Sequence, residues 1–441
     1  MALNIGQNGI AFLQEDGTAA ILRPAHNGGA GSLIAIAPEL AETCRLAPGD
    51  IVEGETQPLS LDTPPLKPDA EVERQPEWDI QFDEPNNRAR IQPAQASLPR
   101  PFKHRLICVT KINGLSGPAS LLPPDNADSP AFDDRPFPQS HRSRSERTPP
   151  DRWLALDVGR SDVTGRILDF AAPLGAGVFG IVYGTHGAGL TRTLQAVLHG
   201  IVQNAPDCIP LVLLLRPRAE EATEWRRRFP QADIVVGASA FSESEPLQTL
   251  QLCDLVLEAS RRQTELGHDV VLLVDSLTAL WGTMLEAEEA DAQREADTSQ
   301  ARRRMREWVQ KAGCFHGEGP LGGGLGGSLT LLGTVWNQAI DAEAEEEHDL
   351  HPHLRLLEHI LGEAGWLVPL SEALATQRLY PTVDVRRCRS QYEARLLPPD
   401  TLETHLKVRG MLPERDPSAC YLRLQDALDA STNLEELLKA L

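Results

Sequence analysis

Aromatic side chains make up only 5% of this 441-residue chain, which argues against a surface rich in base-stacking platforms. Positive charge is also short: 42 Lys and Arg stand against 63 Asp and Glu, for a formal net charge of −21. Such a surface repels phosphate backbones at long range, so a nucleic-acid site has to be a local basic patch. No two of the seven cysteines, at positions 44, 108, 208, 253, 314, 388 and 420, form a C-x-x-C pair. A zinc site or a disulfide framework is therefore not indicated, and reduced, mostly buried thiols are. The chain has no run of about 18 apolar residues, and its start, MALNIGQNGIAFLQEDG, has neither a basic nor a long apolar region. The expectation is a soluble, cytoplasmic protein with no membrane contact.

What is present divides into two parts, as the length suggests. GIAFL (9–13), AAILR (19–23), SLIAIAP (32–38) and PGDIVEGET (48–56) read as short strands with turns between them, a spacing that fits a small barrel. Residues 56–104 turn to Pro, Asp, Glu, Asn and Gln and read as a disordered insertion. RLICVTKI (105–112) is again a strand. Residues 116–151 read as a flexible linker that includes the basic piece HRSRSER (141–147). From 152 to 441 strand and helix patterns alternate, with strands at 180–184, 209–215, 232–239, 269–276 and 328–335. Helices are expected at 191–204, 220–229, 246–266 and 300–312. This alternation predicts a mostly parallel sheet covered by helices on both faces, an α/β domain.

GTHGAGLT (184–191) has the spacing of a phosphate-binding loop, G-x-x-x-x-G-K-[ST], with Leu190 in the lysine slot. It follows a strand and precedes a helix, where Gly184, Gly187 and Gly189 let backbone approach phosphate and the helix N-terminus faces it. Ala188 and Arg192 complete the expected nucleotide contacts, and Thr191 can supply the hydroxyl that ligates magnesium. DVVLLVDS ends in Asp275, where a magnesium-coordinating carboxylate belongs in such folds. The bland alternatives are a glycine-rich turn and a helix cap. Both motifs together favour a P-loop nucleoside-triphosphatase fold.

Several segments in order resemble the family of transcription termination factor Rho, a hexameric RNA-dependent ATPase with a RecA-like core. They are RILDFAAPLGAGVFGIVYGTHGAGLTRTLQ, PDCIPLVLLLRPRAEEATEW, DVVLLVDSLTALW, GGSLTLLGTVW and QRLYPTVDVRRCRSQYEARLL. GIAFLQEDG, LIAIAP, PGDIVEG and LICVTKING are similar to that family's cold-shock-like, OB-type RNA-binding barrel. The family's small N-terminal helical subdomain is expected to be missing, because the barrel pattern begins almost at Met1. The resemblance implies Mg and ATP as cofactors, a homo-hexamer or other ring-forming oligomer, and single-stranded RNA, Rho or the transcription machinery as partners. It also implies Tyr380 as the adenine-stacking aromatic and Arg218 as a residue of the nucleotide site.

Departures from the family pattern fall on the working parts. Leu190 replaces the lysine that contacts the terminal phosphates, and Gly187 replaces a second one. Pro217 stands where the catalytic glutamate precedes Arg218. The arginine finger falls on Gln391, with Arg386, Arg387 and Arg389 close by. A positioned base contributes about 10²–10⁴ in rate, and an arginine finger about 10³–10⁵. The expectation is a pseudo-ATPase that holds nucleotide weakly and acts as a binding or regulatory module. The alternative is an active RNA-dependent ATPase and helicase in which Arg192 or His186 reaches the phosphates.

The RNA-facing positions erode in the same way. Phe12 is kept as the RNA-binding aromatic, unless it is simply a core residue, while Ile10 and Ala35 replace the family's other aromatics. The first channel loop becomes the acidic MLEAEEADAQREADTSQ (284–300), and Leu361 replaces the RNA-touching lysine of the second, HILGEAGWLVPL (359–370). AEAEEEHDLHPH (342–353) adds negative charge, which is also the usual mark of a solvated face. His348, His351 and His353 are a minor metal candidate. GPLGGGLGGS (319–328) reads as a mobile loop, and HRSRSER as a solubilising linker or an electrostatic nucleic-acid contact.

Overall fold

The computed structural model describes residues 9–13, 19–23, 32–36, 40–41, 44–58, 80–83, 88–91, 104–116, 147–159, 162–238, 246–292, 298–315, 327–336, 360, 362–413, 417–431 and 434–440. Near the N-terminus, β1 (Ile10–Leu13), β2 (Ala19–Arg23), β3 (Ser32–Ile36) and β4 (Val52–Pro58) join one sheet. The pair β5 (Ile80–Asp83) and β6 (Arg88–Ile91) forms a separate antiparallel hairpin inside the span expected to be a disordered insertion. The first sheet is completed by β7 (His104–Ile112) and β8 (Leu115–Ser116). Its order is β1-β2-β3-β7-β4, with β3 and β7 parallel and the other neighbours antiparallel.

An antiparallel bridge between Ile10 and Ile51 brings the two ends of this sheet together. Asn113 secures that junction. Its Oδ1 accepts from Ile51 N at 2.9 Å, and its Nδ2 donates to Asp50 Oδ1 at 2.7 Å, both groups being buried. Alternation along the strands separates two apolar faces. Ala11, Ile21, Ile34, Ile36, Val52 and Val109 form one small core, whereas Ile10, Ala20 and Leu22 join the core of the larger domain.

The larger sheet starts from β9 (Arg147–Thr148), a paired strand at the end of the span expected to be a linker. After α1 (Val163–Ala171), β10 (Phe179–Gly184) leads into α2 (Leu190–Asn204). Then follow β11 (Ile209–Leu215), α3 (Ala219–Arg228), β12 (Asp233–Ala238), α4 (Pro246–Glu265) and β13 (Asp269–Asp275). Next come α5 (Leu277–Ala292), α6 (Thr298–Val309), β14 (Gly313–Phe315), β15 (Ser328–Trp336) and β16 (Trp366–Pro369). The chain finishes with α7 (Glu372–Thr376), β17 (Arg389–Ser390), α8 (Glu393–Leu396), α9 (Pro399–Met411), α10 (Pro417–Ala430) and α11 (Leu434–Ala440).

Strand order is β12-β11-β13-β15-β10-β16-β17, parallel from β12 to β16 and antiparallel at β17. Ile209, Leu211 and Leu213 face one core while Val212 and Leu214 face the other. The strands are apolar on both sides because helices cover both faces. One expectation fails here. Residues 284–292 of the presumed channel loop are the C-terminal part of α5, since Met, Leu, Glu and Ala are strong helix formers that simply extend it. Leu361, the three histidines of 348–353, residues 319–326 of the glycine run and all of HRSRSER except Arg147 lie outside the described residues.

The N-terminal sheet rests on α4. Arg262 Nε donates to Pro48 O at 3.2 Å, and a Cβ added to Gly49 would meet the Glu258 backbone at 2.8 Å. Helix α1 is anchored to the residue that follows α10 by the buried Arg166, whose Nη1 donates to Ser431 O at 3.0 Å.

Candidate functional site

The site lies at the C-terminal ends of the parallel strands, the usual location of ligands in open α/β sheets. Gly184 closes β10 and Gly189 is the N-cap of α2. Gly187 and Gly189 have φ of +83° and +94°, a region side chains rarely adopt, which is what the tight loop requires. The amide end of α2 therefore points out of the loop without a side-chain cap, free to meet an anion.

Two motifs far apart in sequence meet here. Thr191 Oγ1 donates to Asp275 Oδ2 at 2.8 Å. Thr334 Oγ1, on β15 between the two motif strands, donates to Asp275 Oδ1 at 2.6 Å. Burial pushes the Asp275 carboxyl above its ordinary range; the two threonine hydroxyls oppose that, and the nearby Glu221 carboxylate adds to it. The half-buried carboxylate with its two hydroxyls is a donor set suited to a hard cation such as magnesium.

Leu190 behaves differently. It is 6% exposed and belongs to the apolar core that includes Ala188, Leu194 and Leu370. The lysine slot thus supplies packing and no charge. Arg192 and His186 are exposed. His186 sits edge-on to Trp336, with ring centroids 5.4 Å apart. Tyr380 is 46% exposed and stands beside Gly189, its ring 3.9 Å from where a Cβ would be. The neighbouring Thr382 hydroxyl donates to Ala188 O, which ties the Tyr380 segment to the loop.

Of the remaining expected residues, Arg218 and Arg387 bond to neighbours of this cluster, Glu221 and Tyr183. Pro217 is buried after β11, and Arg218 is the N-cap of α3, its amide donating to Glu221 Oε2 at 3.0 Å. Gln391 N donates to Gly365 O at 2.8 Å, and Gly365 N in turn donates to Phe179 O at the start of β10. About five residues of strand, roughly 17 Å, separate that level from Gly184. Of the neighbouring arginines, Arg387 donates to the Tyr183 hydroxyl at 3.3 Å and Arg386 to Arg409 O, while Arg389 is exposed on β17. Phe12 pairs with Ala20, which pairs with Ala35 on β3, so these positions form one row across the strands.

Thr334, Thr382, Trp336 and Glu221 are the site neighbours that sequence patterns did not single out. Thr334 had one usable signal: it is a polar residue near the end of an apolar strand, two positions before that strand closes. A second acid cluster, Asp207 and Asp269 with Cys208, has metal-like proximity. Its charge is already met by Arg152, which donates to both carboxylates, and burial raises the Cys208 thiol to about 12.

No family model matches the chain. It is 31% identical over 306 residues to transcription termination factor Rho of Gemmatimonas aurantiaca, covering 66% of this chain and 38% of that protein. The Buchnera aphidicola Rho is 30% identical over 278 residues, covering 62% and 61%. The Pseudomonas aeruginosa Rho is 27% identical over 293 residues, covering 65% of each. The chain is Rho-like. This Rho-like chain spans less than two thirds of the length of these relatives. Its fold is also that of RecA-like ATPases. It is similar to a type III secretion system ATPase of pathogenic bacteria, with a TM-score of 0.50 and 14% identity over 67% of this chain and 85% of that one. The assembled ATPase EscN of enteropathogenic E. coli matches with the same score at 15% identity, over 67% of this chain and 72% of that one. Among the described residues no helix is long and apolar enough to cross a membrane.

Proposed function

We propose that this Rho-like chain holds a magnesium nucleotide at the 184–191 loop, hydrolyses it slowly or not at all, and serves transcription termination as a binding or regulatory module. The observation that carries the reading is the contrast within the loop. The Thr191–Asp275 pair is intact at 2.8 Å, while Leu190 is turned into the apolar core. Thr191 and Asp275 are the residues that would hold magnesium, which neutralises phosphate charge when bound. The loop amides orient the phosphates, and Tyr380 offers its exposed ring to the base. With Pro217 in the carboxylate's place, nothing at that position takes a proton from water.

The domain reading accompanies this proposal: an OB-type barrel over 1–115, a linker over 116–151 and a RecA-like domain over 152–441. The parallel β3–β7 pair and the Ile10–Ile51 bridge support the barrel. Placement of Gln391 away from its own loop fits a ring in which that edge faces another copy. Weak single-stranded RNA binding, Rho or the transcription machinery as partners, and a cytoplasmic location belong to the same reading. Glu221, close enough to Asp275 to raise its carboxyl, favours the second reading of a working RNA-dependent ATPase.

Steady-state ATP hydrolysis with and without single-stranded RNA separates the two, with Asp275→Ala as the control for contaminating activity. A rate equal to the control's, together with measurable ATP binding, is expected. RNA-stimulated turnover that disappears in the control would refute the pseudo-ATPase reading.

A further inference from the structure

A second charged site lies at the other end of the sheet. A cavity of about 580 Å³ is lined by Arg147, Arg303, Arg306, Glu307 and Gln310. Arg147 lies on β9, paired with Phe315 of β14, and β14 pairs with β15 at Ser328. The phosphate loop adjoins the far end of β15, where Gly184 pairs with Trp336. Eight strand steps of about 3.3 Å put roughly 26 Å between these levels.

Three guanidiniums against one carboxylate give the cavity a formal charge of +2 on a chain whose net charge is −21. Arg147 is held in place: its Nη1 donates to Ala312 O at 3.0 Å, and its guanidinium lies 5.5 Å from the Phe315 ring centroid. Its stem lies over Gly313, where an added Cβ would meet Cδ at 3.1 Å. Arg303 and Arg306 stand one helical turn apart on α6. Among the described residues Arg303 pairs with Glu307 alone, and both side chains are more than half exposed, so an incoming anion displaces that contact at little cost. Arg306 makes no ion pair among the described residues.

We infer that this cavity binds phosphate groups of single-stranded RNA. Guanidinium forks match phosphate oxygens bidentately. In the sequence, Arg142 and Arg144 of HRSRSER closely precede Arg147, and arginines spaced along a chain in this way suit a polymeric phosphate backbone. The inference rests on the RNA-binding part of the proposed function and moves that contact from the barrel to α6 and β9. Free polyphosphate shares the chemistry and is the other source to be distinguished.

The test is fluorescence anisotropy of a short labelled single-stranded RNA with the full chain, between about 50 and 200 mM salt. Wild type, Arg303→Ala/Arg306→Ala and Glu307→Gln are compared, with inorganic tripolyphosphate as competitor. The double variant is expected to bind about tenfold or more weakly, with a log K against log salt slope shallower by about 1.4, from two lost contacts at about 0.7 each. Glu307→Gln binds as tightly or more tightly. Thermal melts verify that the variants fold. Equal affinity and slope in wild type and double variant would overturn the site while leaving RNA binding elsewhere intact. Absence of RNA binding by wild type overturns this inference and the RNA part of the function, but not nucleotide holding, which the ATP titration reads separately. Tight tripolyphosphate binding without RNA binding replaces RNA with free polyphosphate and overturns the inference as stated.

Discussion

Replacing Leu190 by lysine tests whether one side chain separates this loop from a strong nucleotide site. Leu190 is 6% exposed, so its burial contributes up to about 1.5–3 kcal/mol. A lysine stem fills part of the same slot, and its ammonium has to reach out toward the loop. Leu190→Lys is therefore expected to lose about 1–2 kcal/mol of stability. In return it can offer terminal phosphates one or two charge-assisted hydrogen bonds of about 1.5–3 kcal/mol each. One such bond alone corresponds to roughly 10- to 150-fold in affinity. The assay is equilibrium titration of ATP and AMP with magnesium, using Leu190→Met as the apolar control of similar volume. ATP affinity rises at least tenfold in the lysine variant alone, and AMP, which lacks the terminal phosphates, gains little. Equal gains for ATP and AMP, or none for ATP, would refute the claim that the missing cation limits the site. The second outcome would direct attention to Arg192 or His186 as the group already gripping phosphate.

Other expectations concern the base contact and the scaffold. Tyr380→Ala should weaken ATP about tenfold through the lost stacking surface, with tripolyphosphate affinity unchanged; equal losses for both ligands would show that Tyr380 only shapes the loop. His405 is fully buried beside Phe170, and among the described residues neither ring nitrogen has a partner at hydrogen-bond geometry. Burial, helped by Arg409, pushes its pKa down to about 4 from the ordinary 6.5. Its contribution is complete above pH 6.5 and lost as pH falls through about 4, roughly 3 kcal/mol in all. Urea unfolding of wild type and His405→Phe should therefore diverge on acidification, with the variant gaining relative to wild type; a constant difference refutes the assignment. Asp169, pushed up to about 7 by burial, acts in the opposite sense. Its contribution is complete below pH 3.8 and lost as pH rises through about 7, so Asp169→Asn should flatten the neutral limb of the same profile. Gly200→Ala places a Cβ 2.6 Å from the Leu156 backbone. It should cost about 1–3 kcal/mol, despite a helix-propensity gain of about 1, and an unchanged melting temperature would refute the close approach.

Apolar patterning and loop chemistry were enough to place the two central motifs. IPLVLLL and DVVLLVD are apolar at every or nearly every position, which only a strand covered on both faces tolerates. GTHGAGLT sits between such a strand and a helix, and its glycines permit the positive φ that the loop adopts. The absence of a cation at Leu190 and of a carboxylate at Pro217 was likewise readable, because residue type alone sets what charge a side chain can carry. Residues 284–292 were misread as loop, since their charge obscured a strong helix-forming composition. What composition and local pattern could not decide is where side chains from distant strands converge. Thr334 reaches Asp275 because β15 lies between β10 and β13, an order set by crossover packing and not by proximity along the chain. Burial of Leu190, isolation of Gln391 from its own loop, and the meeting of Arg147 with Arg303 and Arg306 are decided in the same way, by which surfaces the packed sheet and helices bring together.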